Sequence, residues 1–222
     1  LIKIYYNMKA FYVCSWGGCG SKLLCRYLNK FGKAIHIHDP NPPDILEYVG
    51  FKNGSFGWCP YSLPDYEEKH KHIANRGLEW FNGIPIDNKD TYYVIFLYRN
   101  PTYCIKSRFW SPKHLENIKS PICRNIQYIC RSKKDLYNLQ TFYNNYMYNL
   151  TKEYPIYAIK YEELFERIHE LDKLFGINEN KHNTLDEKIE KKQSNDLTTE
   201  NLQEIYKELI HDMNQHEFIT IV

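Results

Sequence analysis

No stretch of this 222-residue chain approaches the roughly 20 consecutive apolar residues that cross a bilayer. The reading is therefore a chain without a membrane segment. It also lacks a basic start followed by an apolar run and a small-residue cleavage site, so no secretory leader is read. Neither sign of charge prevails: 29 basic against 27 acidic residues give a formal charge of +2. That balance does not call for a nucleic-acid partner, and none is expected. No two cysteines are spaced as C-x-x-C, and no familiar zinc pattern is present. Cys14, Cys19, Cys25, Cys59, Cys104, Cys123 and Cys130 are odd in number, so they cannot all pair within the chain. Mostly free thiols and a reducing compartment such as the cytoplasm are expected. His70 and His72 have no third ligand at a useful spacing, so no metal site is read. There is no internal repeat and no linker that forces a second domain. With 43% hydrophobic residues, a mostly disordered chain is excluded. A single α/β domain over 1–222 is expected.

What is present begins with a short apolar run, Ala10 to Cys14, rich in strand formers. Ser15-Trp16-Gly17-Gly18-Cys19-Gly20 breaks it. Leu23, Leu24, Tyr27, Leu28 and Phe31 then recur at helical spacing, predicting a helix from Ser21 to Phe31 with Gly32 at its C-cap. Ala34 to Ile37 reads as a second strand. Strand, glycine loop, helix and strand make a βαβ unit, which predicts a parallel sheet with a right-handed crossover. Asp39-Pro40-Asn41-Pro42-Pro43 is a hard turn, and 39–90 is irregular, with a weak helix signal over Glu67 to Phe81. Thr91 to Tyr98 is the most continuous strand signal and fits the middle of a sheet covered on both faces. A helix follows from Thr102 to Trp110, with Pro101 near its first turn. Further helices are predicted over Lys134 to Leu150, over Glu162 to Phe175 with Gly176 as its stop, and over Leu197 to Met213 with Thr198 or Thr199 as cap. A strand is predicted over Ile156 to Lys160. Residues 178–196 read as a loop or lid.

The glycine loop carries most of the chemistry. Glycines allow a tight turn in which several N–H groups point at one anion, with the positive end of a helix behind them. Lys22 adds a full charge in the first turn, and Ser21 can cap the helix or donate its hydroxyl. A magnesium-dependent phosphate loop would follow its lysine with Ser or Thr. Here Leu23 stands in that place, which argues for phosphate binding without a metal. Arg99 ends the central strand at the sheet edge where ligands of open α/β sheets bind, and Ser107 lies eight residues on. The two can grip a second phosphate, the arginine through its rigid fork.

Three segments resemble the sulfotransferases that use 3'-phosphoadenosine 5'-phosphosulfate (PAPS). Gly17-Gly18-Cys19-Gly20-Ser21-Lys22-Leu23-Leu24 is similar to the family's 5'-phosphosulfate loop. Arg99-Asn100-Pro101 with Ser107 is similar to its 3'-phosphate motif. Lys160-Tyr161-Glu162-Glu163-Leu164 resembles a third segment after a late strand. The resemblance spans residues 12 to about 165 in family order. It implies a three-layer P-loop-like fold with a central parallel sheet flanked by helices. It also implies PAPS as donor and 3',5'-phosphoadenosine (PAP) as product. The family's late arginine-lysine-glycine signature has no counterpart in this chain.

On this reading Lys22 stabilises the leaving phosphate, and the loop from Gly17 to Leu23 holds the phosphosulfate. Trp16 stacks on the adenine, and Arg99 and Ser107 bind the 3'-phosphate. His38, Asp39 and His36, on or just after the second strand, are candidates for the base that an acceptor hydroxyl requires. Trp58, Tyr61 and Trp80 are candidates for lining an acceptor pocket built from 39–90, for a small-molecule or glycan acceptor. Two other readings stand beside it: a nucleotide or small-molecule kinase, and a catalytically degenerate binding domain.

Overall fold

The structure is a computed structural model, which describes residues 9–37, 41–42, 92–109, 133–135, 138–148, 154–177 and 197–222. In chain order the described elements begin with β1 (Lys9–Cys14), α1 (Ser21–Leu28), β2 (Gly32–Ile37), β3 (Tyr92–Tyr98) and α2 (Pro101–Phe109). Next come α3 (Leu139–Met147), β4 (Ile156–Lys160), a 3₁₀ turn (Tyr161–Glu163) and α4 (Ile168–Leu174). The last are α5 (Leu197–Ile205), α6 (Lys207–Gln215) and β5 (Ile219–Ile221).

The sheet runs β2-β1-β3-β4-β5. The first four strands are parallel, as the βαβ pattern predicts, and β5 is antiparallel to β4. Alternation along each strand sorts the side chains into two separate cores. Tyr12, Cys14, Val94, Phe96, Tyr98 and Ala158 point to one face, where Phe142, Tyr143, Tyr146, Leu202 and Leu209 cover them. Phe11, Val13, Ile95, Leu97 and Ile159 point to the other, where Leu24, Leu28, Leu171 and Phe175 cover them. Helices thus lie on both faces, which is why the central strands are apolar throughout. The chain leaves β1 toward β2 on one side and returns to β3 on the other. The C-terminal ends of β1 and β3 therefore flank a switch point, where open α/β sheets bind ligands.

Several boundaries differ from expectation. Helix α1 ends at Leu28, and Asn29 is its C-cap rather than Gly32. The Asn29 side chain accepts the Ala34 N–H at 2.8 Å and donates to the Ala34 carbonyl at 3.2 Å, which clamps the turn. Gly32 instead opens β2 opposite Lys9; a Cβ there would lie 2.2 Å from the Lys9 carbonyl oxygen. Helix α3 starts at Leu139, not Lys134, because the Asp135 carboxylate takes the N–H groups of Leu139 and Gln140 at 3.1 and 3.0 Å. The segment expected as one helix over Glu162 to Phe175 is a 3₁₀ turn followed by α4, and Gly176 stops it as predicted, at φ +57. The last helix is kinked into α5 and α6 at Tyr206, where φ is −106. The bonds Tyr206 N–H to Leu202 and Ile210 N–H to Tyr206 bridge the kink. Thr199 is an interior residue of α5, not a cap, and its hydroxyl accepts from Lys106 Nζ at 2.7 Å. Strand β5 was not anticipated. The segments Glu67 to Phe81 and 178–196 lie outside the described residues.

Candidate functional site at the glycine loop

The loop between β1 and α1 is shaped by two glycines at positive φ, Gly18 at 94° and Gly20 at 89°. The Trp16 carbonyl accepts the Cys19 N–H at a long 3.4 Å, and the Gly20 carbonyl accepts the N–H groups of Leu23 and Leu24 at 2.9 and 3.2 Å, which starts the helix. Gly20 itself is the N-cap, with no side-chain cap bond. Ser21 is the first helical residue rather than the cap. The N–H groups of Gly18, Gly20, Ser21 and Lys22 meet no protein acceptor among the described residues. A helix start leaves such donors open, and they favour an anion. Lys22 is exposed beside them.

Arg99 reaches the same loop from the end of β3. Its Nη1 donates to the Gly18 carbonyl at 3.2 Å. Its guanidinium carbon lies 4.3 Å from the centre of the Tyr161 ring, a cation–π contact. Its Nε is buried and has no hydrogen-bond partner among the described residues. Tyr161 also fills the space that Gly20 leaves: a Cβ on Gly20 would sit 2.3 Å from a Tyr161 ring carbon. The next residue ties in as well, since Glu162 Oε1 accepts the Asn100 N–H at 2.9 Å. Asn100 Oδ1 in turn accepts the Thr102 N–H at 3.0 Å, at the start of α2. Pro101 is the first residue of that helix, where its missing N–H costs nothing. Three segments far apart in the chain thus meet at one sheet edge. Lys160 and Glu163 flank the junction, with Nζ 3.1 Å from Oε1. Burial pushes Glu163 upward, but hydrogen bonds from Arg167 and Lys160 outweigh it and hold the carboxyl below its usual range.

The structure brings together the loop from Gly17 to Leu23 with Arg99. Trp16 and Cys19 are 3% and 2% exposed and belong to the core, so the Trp16 ring offers no open face to an adenine here. Ser107 is half-buried on α2, about 9 Å along the axis from Pro101 at 1.5 Å per residue. No hydrogen bond joins it to Arg99 among the described residues. His36, on β2, pairs in register with Val13 of β1. His38, Asp39, Trp58, Tyr61 and Trp80 lie outside the described residues. Sequence reasoning quoted Tyr161 within a motif but gave it no role. The available signal was an aromatic residue directly after a strand that ends at the binding edge.

The class these features define is an α/β protein with an open, mostly parallel sheet and a strand–glycine-loop–helix unit at its switch point. Protein-family models, curated proteins and solved structures provided no match to this chain. Among the described residues, no group of three or more His, Cys, Asp or Glu side chains is arranged to hold a metal ion, and no helix is long and apolar enough to cross a membrane.

Proposed function

We propose that the chain is a PAPS-dependent sulfotransferase on a P-loop-like scaffold, acting on a hydroxyl or amine of a small-molecule or glycan acceptor. One observation carries the reading: Arg99 lies against the glycine loop with its Nε buried and unpartnered. That donor and the open N–H groups of the loop suit an anionic ligand with more than one charged group. PAPS, when bound, supplies the sulfuryl group and leaves as PAP.

The chain's own residues then divide the work. The N–H groups from Gly18 to Ser21 hold the 5'-phosphosulfate. Lys22 places its charge at the bridging oxygen and leaving phosphate, where fixed positive charge lowers the barrier. Arg99 and Ser107 hold the 3'-phosphate. His38, Asp39 or His36 accepts the proton of an acceptor hydroxyl.

The test is calorimetric titration of PAP without magnesium, on the native protein and on Arg99→Ala. Micromolar or tighter binding, weakened at least about tenfold in the folded variant, supports the reading; that ratio is ~1.4 kcal/mol. No PAP binding by a folded native protein overturns it, and ATP with magnesium then becomes the ligand that tests the kinase reading. Lys22→Met keeps much of the side-chain length and removes the charge. Turnover near the native rate in that variant removes the role given to Lys22.

A further inference from the structure

A cavity of about 190 Å³ lies at the C-terminal ends of β3 and β4, beneath α6. Its polar lining comes from Tyr98, Asn100, Lys160, Glu162, Glu163 and Asn214, and its apolar lining from Ile210 and Met213.

The lining is not internally satisfied. Tyr98 is 2% exposed, and its hydroxyl is buried without a hydrogen-bond partner among the described residues. A buried hydroxyl left in that state costs about 1–3 kcal/mol. Burial pushes its ionisation upward, and so do the carboxylates of Glu162, Glu163 and Asp212, which the hydroxyl faces. Two of those carboxylates line the cavity. Lys160 is committed, with Nζ on the His216 carbonyl at 2.6 Å and on Glu163 at 3.1 Å. Glu163 is shared with Arg167 at 2.6 Å. Glu162 is different. One of its oxygens takes the Asn100 N–H, and the residue forms no ion pair among the described residues. Arg99 and Lys160 act on the Glu162 carboxylate without a direct ion pair, and that carboxylate, the Tyr98 hydroxyl and the Asn214 carboxamide call for a cation with hydrogen-bonding arms.

We propose that this cavity is a second ligand site, which takes a small primary ammonium compound carrying hydroxyl groups, with Glu162 as counter-ion and Tyr98 as hydrogen-bond partner. The cavity adjoins the junction of Asn100, Lys160, Glu162 and Glu163 beside the glycine loop, but binding there needs no nucleotide.

The probe is 2-amino-1,3-propanediol, compared with glycerol, which has the same shape with a hydroxyl in place of the amine. Each is titrated into the full chain while the NMR signals of the Asn214 side-chain amide and the Tyr98 ring are followed. Saturable shifts at both residues are expected for the amine, with glycerol at least about tenfold weaker. Glu162→Gln, at an exposed position that leaves the core intact, is expected to lose about tenfold, and Tyr98→Phe to weaken binding as well. No saturable shift at concentrations well above millimolar overturns the proposal and leaves the cavity to ordered water. Equal binding of glycerol, or unchanged binding in Glu162→Gln, overturns the ammonium assignment. PAP is absent throughout, so a negative result here leaves the reading of the glycine loop untouched.

Discussion

On one face of the sheet, Phe11, Val13, Ile95, Leu97 and Ile159 meet Leu24, Leu28 and Leu171. On the other, Tyr12, Phe96 and Tyr98 meet Phe142, Tyr143 and Tyr146. The first face has rings too, with Phe11 and Tyr93 5.4 Å and Tyr93 and Phe175 4.8 Å apart, but its one fully buried tyrosine, Tyr27, sends its hydroxyl out of the core to bond Asp172. The second is a stack of rings: Phe96 and Tyr146 lie 4.6 Å apart at 17°, and Phe142 follows Tyr146 at 5.5 Å. Several of those rings end in hydroxyls. The Tyr146 hydroxyl lies 2.7 Å from Cys14 Sγ and donates to the Asn41 carbonyl at 2.9 Å, and Tyr206 donates to Asp135 at 2.9 Å. Tyr98 carries the unpartnered hydroxyl at the cavity. The difference teaches a division of labour. Buried phenylalanine and aliphatic side chains contribute burial without obligations, whereas each buried tyrosine adds a polar atom that needs a partner.

The largest expected effect tests the first face. Leu28 is fully buried, and Leu28→Ala is expected to cost about 3 kcal/mol in urea unfolding. A cost under about 1 kcal/mol would show that this face repacks freely and carries little of the fold.

Next comes the edge where the faces converge on the glycine loop. Gly20→Ala combines a left-handed backbone with a clash against Tyr161, and a loss of about 2 kcal/mol is expected. The added Tyr161→Ala change is expected to make the Gly20→Ala loss smaller, a coupling that a double-mutant cycle reads directly. Simple additivity would mean that the ring is not what enforces the glycine.

Tyr146→Phe, on the other face, removes only a hydroxyl, and about 1 kcal/mol is expected. If it costs as much as Leu28→Ala, the distinction between the faces collapses.

The smallest effect belongs to Glu163→Gln, at the half-exposed cluster with Lys160 and Arg167; less than about 1 kcal/mol is expected at neutral pH. The carboxyl is held low in the folded state, so its contribution is present above the ordinary value of 4.5 and is lost as pH falls through the lower folded value. Native and variant stabilities should therefore converge in acid, and a gap that persists there would assign the cost to packing rather than charge.

The parallel sheet was legible because β1, β3 and β4 are short apolar runs ended by glycine, arginine or lysine, and because a glycine loop followed by a helical stripe has few other readings. Pro155 marked the start of β4, and the expected range Ile156 to Lys160 is the observed one. What the pattern hid was set by partners distant in the chain. Gly32 is glycine because the Lys9 backbone passes against it, and no local rule distinguishes that from a helix cap. Asp135 caps α3 from four residues upstream, so the helical stripe began too early. Strand β5 has only three residues and gains its place from pairing with β4. At the site, the loop and Arg99 were legible as charge and backbone permissiveness. The Tyr161 contact was not, because it depends on how three strand ends fan out.

The bond from Arg99 to Gly18 closes a loop of 81 residues, and that from Asn100 to Glu162 closes another of 62. Closing such loops costs entropy before the contacts are gained, and folds dominated by distant contacts assemble slowly, in milliseconds to seconds for the slowest topologies. The junction is absent until the separate segments have docked. A refolding chain should therefore recover helical signal well before the Tyr161 ring reaches its final environment, which makes that ring a natural clock for the last step of assembly.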